Sequence, residues 1–134
     1  MKNYYINAKH LNGQFWATER VYITDNGDGT WHVAHEHGAY VRHSDVSPEA
    51  AEQVIEGVKG RTQASADPAN THYEIEEITP ENAEKLKAAL MRQYDNYTDF
   101  IENAGQQAFA EAKNATILKQ VERIEKALRQ PQVA

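Results

Sequence analysis

Two stretches of this chain start alike, and they divide it. Ser47-Pro48-Glu49-Ala50-Ala51-Glu52 and Thr79-Pro80-Glu81-Asn82-Ala83-Glu84 each put a hydroxyl residue, a proline and a glutamate ahead of an apolar pattern of helical period. The hydroxyl accepts a backbone N–H, proline at the first helical position gives up no useful donor, and the acidic side chains favour the positive end of the helix dipole. Helices are therefore predicted to begin at Pro48 and Pro80. Placing position 47 on 79 matches Val46 with Ile78, Ala51 with Ala83, Val54 with Leu86 and Val58 with Leu90. A decayed strand-to-helix repeat would do this, but Ser/Thr-Pro-Glu is a common helix opening and convergent capping accounts for the match.

Ahead of the first opening the chain reads as sheet. Asn3 to Lys9 alternates around Tyr5 and Ile6, Phe15 to Thr24 is aromatic and β-branched, and Asn12-Gly13 between them is a hairpin turn signal. Asp25 to Gly29 forms a second turn into Thr30–His35, and Gly38 separates that strand from Ala39–His43. The acidic second turn is not a calcium loop, because Glu36, at its twelfth position, lies beyond a strand. Tyr73, Ile75 and Ile78 make a short fifth strand after a small, polar stretch, Gln63 to Asn70, read as a mobile loop. The expected fold is α+β: an antiparallel sheet of four to five strands packed by one short helix over 48–59, closed by Gly60, and by a long C-terminal helical segment. The predicted core holds Tyr5, Phe15, Trp31, Val33, Val54, Val58, Leu86 and Leu90.

The helical segment is long for such a domain. At 100° per residue Ala83, Leu86, Leu90, Tyr94, Tyr97, Ile101, Ala104, Ala108, Ala112 and Ala115 form one stripe. A single helix over that range spans about 50 Å, against a radius of gyration of about 14 Å for a chain of this size. Either it overhangs the sheet or it breaks between Asp95 and Asp99. Beyond it, Ile117, Val121, Ile124 and Leu128 point to the opposite side, so the chain turns near Asn114 to Thr116 or this segment meets another surface. An apolar strip of that kind predicts a homodimer through Ile101, Ala104, Ala108, Ala112, Ile117, Val121, Ile124 and Leu128.

At 134 residues the chain is expected to be one domain, with a sheet half over 1–78 and a helical half over 79–130. Net charge is −6, which argues against duplex DNA binding. Residues 1–78 carry twice as many acidic as basic side chains, whereas Lys113, Lys119, Arg123, Lys126 and Arg129 outnumber Glu122 and Glu125 at the end of the chain. There is no cysteine, hence neither disulfide nor thiolate site. No signal-peptide pattern and no membrane span is visible, so a cytoplasmic protein is expected.

Candidate chemistry is sparse. His32, His35, His37 and His43 cluster around Glu36. His35 and His37 share a strand face, and a facing His43 would complete three nitrogen ligands. His-x-His is short, however, and strand histidines explain it, so no metal, cofactor or catalytic residue is expected. Ser44, Ser47 and Ser65 lie in no nucleophile motif, and Glu74, Glu76 and Glu77 read as a solvated acidic edge. Arg92, Tyr94, Asn96 and Tyr97, with Arg123, combine rigid aromatic area with groups that engage carbonyls, carboxylates or phosphates. The expectation is a non-catalytic interaction protein, dimeric and small, with a protein partner; a short, acidic, motif-poor chain suits an accessory or inhibitor protein of bacterial or phage type. The alternatives are a groove for an anionic, nucleotide-like ligand at Arg92, Tyr94, Asn96 and Arg123, and a histidine-metal enzyme.

Overall fold

The computed structural model describes residues 1–37, 40–104 and 107–129, with backbone alone for residues 40 and 100–104. Among the described residues the architecture is α+β, with a five-stranded antiparallel sheet and three α-helices. Strands β1 (Tyr4–Asn12), β2 (Phe15–Asp25), β3 (Trp31–His37) and β4 (Tyr40–Val46) form the meander expected from the turn signals, and β5 (His72–Glu77) adds beside β1, giving the order β4-β3-β2-β1-β5. The first turn is Gly13-Gln14 rather than Asn12-Gly13: Asn12 still pairs with Phe15, and Gly13 takes φ 63°. Glycine at the first loop position is what a two-residue turn with one positive φ requires. The Asp25–Thr30 turn closes on itself, with Asp25 accepting from the Gly27 N–H and Asp28 from the Thr30 N–H.

Helix α1 (Pro48–Gln63) covers one face of this sheet. The Ser47 hydroxyl accepts the Ala50 N–H at 3.2 Å, as its opening predicts. Beneath it lie Ile6, Ala8, Val21, Ile23, Trp31 and Val33, sealed by Ala51 and Val58. The helix does not stop at Gly60. It continues one turn further, because Thr62 is buried with its hydroxyl on the Val58 carbonyl and Arg61 reaches the sheet. The stretch Gln63 to Asn70 is likewise tied down: the Ser65 hydroxyl accepts the Leu11 N–H, and the Ala66 N–H donates to the Leu11 carbonyl, both at 2.9 Å.

Residues 79–134 make a second compact unit. Helix α2 (Pro80–Ala104) starts with Asn82 reaching back to accept the Thr79 N–H at 2.8 Å, so the second opening is capped by its asparagine. Helix α3 (Gln107–Arg129) runs antiparallel to α2, as Lys87 near Glu125 and Thr98 near Asn114 establish. Both expected break points, 95–99 and 114–116, fall inside helices, and Gly105 lies outside the described residues. Ala83, Leu86 and Leu90 are buried on α2, and Ala110, Ile117, Ile124 and Ala127 on α3. The strip expected to await a second copy is thus covered within the chain at Ile117 and Ile124, while Val121 and Leu128 are half-buried and Ala108 and Ala112 face solvent. The side chains of Ile101 and Ala104 lie outside the described residues. Among the described residues no helix is long and apolar enough to cross a membrane.

Trp31, Val33 and Val58 lie in the core under α1 as predicted, and Leu86 and Leu90 are buried in the helical unit, but Tyr5 and Val54 are half-buried. Phe15 is the clear correction, at 79% exposure. It stands next to the β1–β2 turn, past the end of the sheet that α1 covers. Ile124→Ala is therefore expected to cost about 2–5 kcal/mol, while Phe15→Ala changes stability by no more than about 0.5 kcal/mol; urea unfolding of the two variants, with amide exchange to localise the loss to 79–134, checks both.

Candidate functional site

The most elaborate chemistry sits at the β1–β2 end of the sheet. Strand register builds it. On the α1 face Glu19 of β2 stands between Ala8 of β1 and His37 of β3, while His10 opposite Ala17 and His35 opposite Val21 are its diagonal neighbours. Glu19 is 1% exposed and His10 4%. A buried carboxylate is costly unless every lone pair finds a donor, and here the set is complete. His10 Nε2 lies 2.9 Å from Oε2 and His35 Nε2 2.8 Å from Oε1. Arg61 from the last turn of α1 closes a fork on the same group, Nε to Oε2 at 3.0 Å and Nη2 to Oε1 at 2.8 Å. A carboxylate offers about four acceptor sites, and all are used.

Because an ionised carboxylate only accepts, both imidazoles carry their proton on Nε2 in this arrangement. Burial pushes the Glu19 carboxyl up, but the bonds from His35, Arg61 and His10 outweigh it and hold the group well below the usual carboxylate range. His37 stands exposed beside the cluster, its ring 6.3 Å from that of His35. An open pocket lined by His10, Leu11, Asn12, Arg61 and Ala64 adjoins it.

The same end carries exposed aromatics. Phe15 and Trp16 are adjacent in β2 and so project from opposite faces of the hairpin, with Trp16 43% exposed and Lys9 Nζ 4.9 Å from its ring. The two-residue turn and the bonds from Ser65 and Ala66 to Leu11 anchor them.

The histidines grouped by sequence separate. His35 and His37 do share a face, but His43 pairs with Ala34 and lies on the other side with His32, the two rings stacked at 5.1 Å. There His32 Nδ1 is 2.9 Å from Asp45 and His32 Nε2 is 2.9 Å from His43 Nδ1. The trio His35, His37 and His43 therefore cannot bind one ion. His10 and Glu19 complete the cluster instead; no local motif marks them, and only the pairing of three strands brings them in.

The helical candidates do not form one patch. On α2, Arg92 and Asn96 share an exposed face, whereas Tyr94 and Tyr97 are half-buried about 100–160° away around the axis. Tyr97 meets Phe109 of α3 edge-on, with ring centroids 6.3 Å apart, and Arg123 is half-buried on α3.

Compared with protein-family models, with curated proteins and with solved structures, the chain matches none of them.

Glu19→Gln removes the charge on which Arg61, His10 and His35 converge, and is expected to destabilise residues 1–78 by about 3–5 kcal/mol. Arg61→Ala, at a more exposed position, should cost about 1.5–3 kcal/mol. In urea titrations the double variant should lose less than the two singles together, since both act on one network.

Proposed function

We infer that this is a non-catalytic interaction protein, cytoplasmic and of the accessory or inhibitor kind, and that it docks on a protein partner through the β1–β2 hairpin. One observation carries the reading: Phe15 and Trp16 are held in solvent on a hairpin that is anchored from below. Large aromatics exposed on a fixed backbone lose little conformational freedom on binding and bury much area, which is how interface hot spots work. Projecting from opposite faces, they make the tip a wedge, suited to an apolar cleft rather than a flat surface.

Charge specifies the cleft's rim. Residues 9–18 contain Lys9 and no carboxylate, and Arg61, His37 and exposed His72 lie at the same end of the sheet, His72 directly across from Lys9. Of the acids there, Glu19 is buried and fully paired, and exposed Glu74 stands 3.3 Å from His72. At the other end Asp25, Asp28, Asp45 and Glu49 gather. A partner with carboxylates around an apolar cleft complements the hairpin end and is repelled by the other, which favours one orientation of encounter.

The test is a quantitative pull-down from source-cell lysate with the wild-type chain, Phe15→Ser/Trp16→Ser and a control change at exposed Leu118 of α3. A partner held by wild type and by Leu118→Ser, and reduced at least about tenfold by the hairpin variant, supports the reading. Identical partners in all three lanes would overturn it.

A further inference from the structure

We propose that His10, Glu19 and His37 form a binding site for a first-row divalent transition metal, zinc above all, at the hairpin end of the sheet. One ligand atom from each of these residues lies within 4.8 Å of the other two. Three strands supply them, β1, β2 and β3, so the set is fixed by sheet register rather than by a flexible loop. Two imidazoles and a carboxylate suit zinc and its neighbours, and are a poor set for calcium or magnesium, which take oxygen.

The distances suit an ion with modest adjustment. Bonds of about 2.1 Å at tetrahedral angles place ligand atoms roughly 3.4 Å apart. His10 Nε2 and Glu19 Oε2 are 2.9 Å apart, joined through a proton. The ion takes the place of that proton: the neutral His10 ring changes tautomer, its one proton moving to Nδ1 through solvent, and Nε2 turns its lone pair to the metal with no net loss of a proton. His37 supplies the third ligand, and its exposed ring is free to swing the last distance.

The surrounding groups are those a ligating carboxylate needs. His35 Nε2 keeps its bond to Oε1, and Arg61 keeps its fork, so the carboxylate is oriented from two further sides. Arg61 also brings a positive charge close to the ion, which places the site among moderate binders. A fourth position remains toward the solvent beside exposed His37, where water or a partner's carboxylate completes the shell. That coordination would add to the hairpin wedge but does not rest on it.

The test titrates Zn²⁺ into the tag-free, chelator-treated full chain by calorimetry, and Co²⁺ with visible absorption as the readout. One ion per chain is expected, saturating below about 100 μM. His37→Gln changes an exposed residue and leaves the fold intact by circular dichroism; it should weaken binding at least about tenfold, as should His10→Gln. His43→Gln, on the opposite face, should bind as wild type does. Absence of saturable binding up to about 1 mM, or wild-type affinity in His37→Gln, would overturn the site, and neither result bears on the partner-capture test of the hairpin.

Discussion

Everything at the hairpin end of the sheet answers to one buried charge. A carboxylate at 1% exposure on a central strand would be untenable alone. Its needs explain why histidines flank it diagonally, why α1 runs past Gly60 to deliver Arg61, and why the end of that helix stays down on the sheet. The arginine fork links the last turn of α1 to β2 across 42 residues of sequence. With the loop after α1 held by the Leu11 backbone, the network converts a hairpin that would otherwise splay into a fixed support.

How much of this was legible depended on whether the signal was local. Ser47 caps its helix as its sequence context implies, and the turn residues of the meander delimit β1 to β4. Burial on the α1 face follows period-two alternation through Ile6, Ala8, Val21, Ile23 and Val33. What escaped was set by tertiary reach. Phe15 obeys a strand pattern yet lies beyond the helix that would cover it, and Gly60 is a good stop signal overridden by contacts at Arg61 and Thr62. The helical stripe read as continuous because its period carries on across Gly105, while the reversal that pairs α2 with α3 places Ala110 inward and Ala108 and Ala112 outward.

The histidine cluster shows the same limit at finer scale. Position parity along one strand correctly puts His35 with His37. Assigning His43 to their face needs the register between β3 and β4, and a shift of one residue there reverses the answer. His10 and Glu19, separated by nine residues, meet only because a two-residue loop sets β1 against β2. Loop length thus decided which side chains could share chemistry, and no composition count contains that information.

The contact of Asn114 with Thr98 has a further consequence. Asn114 is buried in the helical hairpin, its Nδ2 donates to Thr98 Oγ1 at 3.2 Å, and that hydroxyl donates onward to the Tyr94 carbonyl. Apolar faces that mix alanine with leucine and isoleucine, as Ala83, Leu86, Leu90, Ala110 and Ile117 do here, discriminate one alignment from the next through packing alone. The amide adds a second criterion. If α3 slipped along α2 by a turn, Asn114 would face hydrocarbon without its hydroxyl, and misaligned hairpins would be penalised by the loss of a buried hydrogen bond as well as by poor packing. A single amide can in this way reinforce the alignment that the apolar surface already favours.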